Sequence, residues 1–393
     1  MKRICLCAVA VMLVVGLNGC KNGVKNEGSL PVLDFRADIP DREAALQDLG
    51  KVRYFRLQTP ENVLLGDQMK LIPSEAGLFF IGSSTGDVIG FNKKGEMISH
   101  FNRKGQGGEE YARIRHILYD EKRQELFLDG ITQMQVYGLD GTYKRSFSLP
   151  DSLQMDVIES LDENAMVFLD MKGALFVKEG ETAKIDDNPE ASNQPYVLMD
   201  KETGKKIERL PIVSDNRYRS MIVTTRDGRP FILLNRMRNL LSCGDGGCLI
   251  SEPAADTLYQ LSPDRQLKPV FTKLPLSTEK DGKIACEIRA LTPNQMLVNA
   301  VFLKDEGQMK LRDELYLYNV AENSFSHVKL TNKDWQNGDM MNFVFNNNKL
   351  YYTLYPFTLL EAMEKNELGG DLLEITKTLD EDENLILMEV SLD

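Results

Sequence analysis

Residues 91–111 read FNKKGEMISHFNRKGQGGEEY, two strand-like runs around a Gly turn that lead into a second Gly-rich turn ending in Glu110 and Tyr111. The first half returns as YGLDGTYKRSF at 137–147, with aromatic, Gly and Phe in the same relative places. Gly95 and Gly141 therefore mark an internal spacing of 46 residues. A spacing of about 40 to 50 residues with strand content is the signature of stacked propeller blades, since a blade cannot bury both its faces alone.

Working outward, strand, polar turn and strand recur at 88–101 around Gly95, 134–147 around Gly141, 196–210 around Gly204, 257–271 around Asp264 and 314–330 around Asn323. Period-two alternation around turn-forming residues predicts a β-hairpin in each case. FVFNNNKLYYTL at 343–354 reads as a sixth hairpin and LILMEVSL at 385–392 as a final apolar strand. That last blade lacks one strand. KVRYFRL at 51–57 is left over at the other end and can close the ring, removing the edges an open array would expose. Between them, Leu359, Leu360 and Met363, then Leu372, Leu373 and Ile375, have helical spacing and predict two short helices packed on the ring, split at Gly369-Gly370. The expectation is an all-β, six-bladed β-propeller over residues 51–393.

The first twenty residues carry an address rather than a fold. Lys2 and Arg3 form a basic start, Ile4 to Leu17 an apolar run of about 14 residues, and Leu17-Asn18-Gly19-Cys20 a small-residue cleavage site. Such a run is too short to span a ~30 Å hydrocarbon core, so the reading is a lipoprotein signal at 1–19 with lipidation of Cys20. KNGVKNEGSL at 21–30 reads as a polar tether, and the lead-in to residue 50 as irregular, with at most one helical turn around Glu43 to Gln47. Loss of Lys2 and Arg3 takes the formal charge from −12 to −14. An acidic chain with no Lys/Arg-rich run cannot use counterion release to hold a polyanion, which excludes nucleic acid as an expected partner.

The ordered set of motifs resembles the six-bladed β-propeller lipoproteins of Bacteroidetes, which are distantly similar to NHL-repeat propellers. Gly105-Gln106-Gly107-Gly108-Glu109-Glu110-Tyr111 stands where that family has G-x-G-P-G-E-Y, with Gly108 replacing its Pro and Glu109 its Gly. Asp256-Thr257-Leu258-Tyr259 resembles its D-T-I-Y, and Asn384-Leu385-Ile386-Leu387 its closing N-P-V-L without the Pro. The resemblance covers nearly the whole mature chain and implies a fold and an address: outer membrane, lipid-anchored, facing the periplasm. Surface-exported lipoproteins of that phylum carry acidic residues just after the Cys; Lys21 to Lys25 lacks them, and surface exposure stays as the alternative. The family implies no particular reaction.

No catalytic constellation appears. His100, His116 and His327 fall in separate blades without metal-ligand spacing, and neither a G-x-S-x-G elbow nor an S-x-x-K pair is present. Acidic groups at Asp186-Asp187-Asn188, Asp305-Glu306 and 380–384 allow Ca²⁺ but lack the spacing of a calcium loop, and read as solvated loops; no other cofactor is evident. Cys243 and Cys248 in CGDGGC are a local disulfide or a Gly-rich hairpin with free thiols, a metal site being the third option. The candidate ligand face is Arg103, Glu110, Tyr111 and Trp335. Structure is favoured over ligand contact for Glu110, which can accept from turn amides or pair with Arg103, and for Tyr111, which packs its ring and exposes its hydroxyl. The functional expectation is a binding or scaffolding module for an envelope protein or a small ligand such as a glycan or peptide. A metal-dependent propeller enzyme of the sugar-lactonase type is the alternative.

Overall fold

The computed structural model describes residues 30–393 apart from 61–62, 67–68, 75–76, 131–132, 150–154, 171–192, 215–220, 227–228, 235–240, 245, 253–254, 280–283, 303–311, 337, 339–342 and 347. The signal, Cys20 and the start of the tether lie outside the described residues, as do the acidic groups at 186–188 and 305–306.

The chain opens with β1 (Val32–Asp34), β2 (Asp41–Ala45), a short helix α1 (Leu46–Leu49) and β3 (Gly50–Arg56). Blade 1 follows as β4 (Lys70–Pro73), β5 (Gly77–Ile81), β6 (Asp87–Asn92) and β7 (Met97–Asn102), and blade 2 as β8 (Ile117–Asp120), β9 (Glu125–Asp129), β10 (Gln133–Gly138) and β11 (Tyr143–Ser148). Blade 3 is β12 (Met155–Ser160), β13 (Ala165–Asp170), β14 (Tyr196–Asp200) and β15 (Lys206–Arg209). A separate hairpin, β16 (Met221–Arg226) and β17 (Arg229–Leu234), precedes blade 4: β18 (Leu241–Gly244), β19 (Gly247–Ile250), β20 (Thr257–Leu261) and β21 (Leu267–Leu274). Blade 5 is β22 (Ile284–Leu291), β23 (Gln295–Phe302), β24 (Arg312–Asn319) and β25 (Ser324–Thr331). Blade 6 has β26 (Val344–Asn346), β27 (Lys349–Leu354), helices α2 (Pro356–Glu364) and α3 (Gly370–Thr376), then β28 (Ile386–Leu392). The protein is a six-bladed β-propeller.

Ring closure takes the expected form. β3 pairs antiparallel with β28 over seven residue pairs, Gly50↔Leu392 to Arg56↔Ile386, so the last blade is completed from the start of the chain. The lead-in corrects the expectation of irregular backbone. β1 adds in parallel to the outer edge of β21, and β2 to the outer edge of β25, with the helical turn following at Leu46–Leu49. Stretches of three and five residues are too short to show a period, and their strand geometry is imposed by the open edges they cover.

The core lies between the blades. Among the described residues six apolar clusters form, each joining neighbouring blades, as in Phe79, Ile81 and Val88 of blade 1 against Leu126, Leu128 and Tyr137 of blade 2. At the closure, Leu387 and Tyr351 of blade 6 meet Phe80, Ile89 and Phe91 of blade 1. Middle strands such as β5 (GLFFI) and β13 (AMVFLD) are buried at every position, because a blade has apolar neighbours on both faces. The outer turns fit the repeat read from sequence: Gly141 has φ +76°, and a Cβ there would come within 2.6 Å of the Phe101 ring in the preceding blade. Close packing of turn on ring therefore requires Gly. In α2, Leu359 and Ala362 face the ring, and Leu372 and Thr376 do so in α3. Among the described residues no helix is long and apolar enough to cross a membrane.

Candidate functional site

The first strand of each blade is the innermost one, and these strands approach one another about the centre of the ring. Pro73, Asp120, Ser160, Gly244 and Asn346 are the last residues of β4, β8, β12, β18 and β26. All five line one cavity of about 290 Å³, so five of the six blades end on a single chamber at one mouth of the channel. That size lies at the lower edge of small-molecule sites, roughly 300–1,000 Å³. The lining comes from rigid strands, and the turns after them, with Glu121, Lys122, Asp162 and Glu163, form the rim.

Two acidic side chains here behave differently because their surroundings differ. Asp120 accepts a hydrogen bond from Lys201 Nζ at 2.7 Å, and the same ammonium donates to Ser160 Oγ at 2.7 Å and to the Asp162 carbonyl at 2.6 Å. Burial lowers the Lys201 pKa, and the Asp120 carboxylate opposes that shift. Glu159 on β12 has no ion pair among the described residues. It is half-buried by area, one side facing the channel, and walled in by the surrounding blades. Burial pushes its carboxyl up to about 8, against the opposing pull of the Lys70 charge. Asn346 is 6 % exposed and donates through Nδ2 to the Pro73 carbonyl at 2.9 Å, while its Oδ1 is sealed from solvent and has no hydrogen-bond partner among the described residues.

The face expected from sequence is elsewhere and is not one site. Glu110 folds back over its own turn, Oε2 accepting from the Gly107 amide at 2.8 Å. Arg103 does not pair with it; its Nε donates to the Gly141 carbonyl of the next blade at 3.0 Å. The Tyr111 hydroxyl is buried rather than exposed, donating to the Gly86 carbonyl at 2.7 Å and accepting from the Arg103 amide at 2.9 Å. Burial raises its pKa to about 12. The turn amides and carbonyls offered it better partners than water did. Trp335 lies in the connection from blade 5 to blade 6, half-buried against the core cluster there and bridged to Asn332 and Leu368. The structure thus does not bring Trp335 together with Arg103, Glu110 and Tyr111, which belong to the connection from blade 1 to blade 2.

Cys243 and Cys248 face each other across the β18–β19 hairpin, Cα atoms 3.9 Å apart and joined in a disulfide, and Cys243 lines the cavity. Cys286 is a buried free thiol. Among the described residues no three His, Cys, Asp or Glu side chains gather as a metal site would need. The cavity residues Asp120, Glu159 and Asn346 escaped sequence reading. Their one available signal is position, each lying at or next to the last residue of a short first strand.

Fold and site define a β-propeller whose channel ends in an acid-rimmed chamber with a mixed apolar and polar lining. Residues 30–391 match the family described as a domain of unknown function, DUF4934, and the chain belongs to that family. Its structure is similar to that of an exported protein of Bacteroides fragilis, with a TM-score of 0.61 at 13% identity, covering 93% of this chain and 100% of that one. A member of the duf4221 family from Bacteroides vulgatus aligns with a TM-score of 0.44 at 12% identity, covering 88% of this chain and 97% of that one. Likeness at such identities speaks for the fold alone. Among curated proteins none matches the chain.

Proposed function

We propose that the protein is a lipid-anchored, extracytoplasmic binding module that seats a small ligand, or a side chain of an envelope partner, in the chamber at the end of its channel. The observation that carries this reading is the convergence of five first strands on one cavity, with Glu159 in its lining and Glu121 and Glu163 on its rim. Polar groups fixed on packed strands pre-organise a site at little entropic cost. The address is supported by the signal and Cys20 and by the likeness to an exported Bacteroides protein.

The test is capture from native membranes with the lipidated protein, beside a Glu121→Lys/Glu163→Lys double variant that reverses the rim charge at two exposed positions. Wild type should retain a partner or ligand that the double variant loses. Equal capture by both would remove the chamber as the binding site. Cys20→Ser should move the protein from the membrane to the soluble fraction, and continued extraction by detergent alone would overturn the anchor.

A further inference from the structure

We infer that the outer edge of blade 4 is the face the propeller lays against its bilayer, so that the chamber opens away from the membrane. The inference rests on the lipid anchor at Cys20 and names which way the anchored domain stands.

Two short strands extend the ring at its rim, and their chemistry differs. β2, added to blade 5, reads DREAA and exposes Asp41, Arg42 and Glu43, charged residues of the kind that keep a sheet edge in water. β1, added to blade 4, begins Val32-Leu33 and so puts one apolar side chain on each of its faces. Leu33 is fully buried with Leu258 and Phe271 in the cluster between blades 4 and 5, while Val32, on the other face, is 49 % exposed. Leu30, just before the strand, is 37 % exposed, and Leu276, two residues past the end of β21, is 38 % exposed. Glu279 ties the two segments together: its Oε1 accepts from the Leu276 amide at 2.9 Å, and its Oε2 lies 3.9 Å from Arg36, two residues past the end of β1. Of the eight large apolar side chains exposed among the described residues, three therefore share one edge. Single exposed apolar residues are ordinary, but a group of them along a sheet edge marks an interaction surface.

The length of chain between the anchor and this edge names the occupant. Leu30 follows Cys20 by ten residues (30 − 20), and a chain that long spans at most ~33–36 Å when fully extended. The edge at which the chain enters the fold is therefore held near the bilayer, whichever way the remainder turns. Tethering makes its contact with lipid intramolecular, so a patch too small to hold a membrane alone is sufficient to orient the domain. Lys21 and Lys25 bring positive charge to the headgroup layer beside the lipid, which suits an anionic membrane surface.

Strand direction then sets where the chamber points. β18 ends on the chamber at Gly244, and the turn between β20 and β21 contributes Pro263 to the same lining. β20 and β21 are antiparallel, so β21 starts at the chamber end of blade 4 and finishes with Leu274 at the opposite end. β1 pairs with the last residues of β21, Val32↔Thr272 to Asp34↔Leu274, and Leu276 lies beyond them. The apolar edge is thus at the end of blade 4 remote from the chamber, and a bilayer seated there leaves the chamber mouth open to the aqueous side.

Fluorescence quenching on the full-length lipidated protein, in vesicles of phosphatidylethanolamine and phosphatidylglycerol, tests this. A thiol-reactive dye is introduced through Val32→Cys or Leu276→Cys, and for comparison through Val320→Cys, Phe357→Cys or Glu163→Cys. With Cys20 acylated, Cys243 and Cys248 bonded to each other and Cys286 buried, the native cysteines do not take the label. A lipid with a nitroxide high on its acyl chain should quench the dye at Val32 and Leu276 about threefold more than at the other three positions, because an interfacial apolar patch enters roughly 5–10 Å into the headgroup and acyl boundary. Val32→Asp in the Leu276→Cys protein should bring that quenching down to the level at Val320, with the protein still floating on its vesicles. Quenching at Leu276 that Val32→Asp leaves unchanged overturns the apolar contact. Equal quenching at all five positions, or the strongest at any of the three comparison positions, overturns the orientation while the anchor stands. A protein that does not float with the vesicles at all overturns the anchor and the orientation together.

Discussion

Lys201 of blade 3 holds Asp120 of blade 2 across their shared face, Nζ to Oδ2 at 2.7 Å, with both side chains almost wholly out of solvent. A buried pair of this kind is worth little against an apolar replacement, yet breaking it on one side leaves a charge with no counterpart. Lys201→Met should destabilise the protein by about 3–5 kcal/mol. The double variant with Asp120→Asn should lose much less than the sum of the two single changes, as urea unfolding would show. Additive losses would mean the pair is not coupled.

Tyr111 closes the connection from blade 1 to blade 2 through a hydroxyl that both donates and accepts. Tyr111→Phe leaves the Gly86 carbonyl and the Arg103 amide short of a partner and should cost about 1–3 kcal/mol. Glu110→Ala, at an exposed position with one amide bond to lose, should cost about 1 kcal/mol or less. Both are read by thermal unfolding. A larger loss for Glu110 than for Tyr111 would place the strain of the turn on the carboxylate.

How much was legible in the sequence depends on whether the deciding contacts are local. Gly95, Gly141 and Asn323 have positive φ and sit in turns between adjacent strands, so the outer hairpins could be read from neighbouring residues alone. Closure by residues 51–57 was legible too, since one blade was a strand short. The chamber was not. Its first strands are as short as Val344–Asn346, and Asp120 opens a polar run, Asp120-Glu121-Lys122-Arg123, that looks like any solvated turn. What buries Asp120 is Lys201, 81 residues away. Tyr111 was placed correctly in the chain but given the wrong exposure, because the Gly86 carbonyl it meets is 25 residues upstream.

The Cys243–Cys248 bridge closes a loop of sequence separation 5 within one hairpin. A loop this small removes little chain entropy, and the stabilisation from cross-linking is about 2 kcal/mol. Cys243→Ser/Cys248→Ser should lower the unfolding free energy by that amount, and a reductant should lower the wild type to the same level. A wild type indifferent to reductant would mean that the thiols are free in solution.

Closure ties both ends of the ring into one sheet. Removing residues 385–393 deletes β28, leaves β3 without its partner and opens the cluster in which Leu387 meets Phe80 and Phe91. The shortened protein should lose its single cooperative transition. One sharp melt near the original temperature would show that the ring does not depend on the shared blade.

Glu159 links stability to pH with a definite sign. Its ordinary pKa of 4.5 applies to the unfolded chain, while burial raises it to about 8 in the folded one. Between these values the folded state keeps a proton that the unfolded state has released. Stability must therefore fall as pH rises from about 4.5 to 8, and level off above it. Glu159 is only half-buried by area, and solvent screening leaves about 1–3 kcal/mol lost across the window. Glu159→Gln mimics the protonated acid and removes this contribution. The variant should match wild type at pH 5, exceed it by about 1–3 kcal/mol at pH 8.5, and show a flatter profile in denaturant titrations run at each pH. Parallel profiles for the two proteins would mean that Glu159 ionises as freely in the chamber as in the unfolded chain.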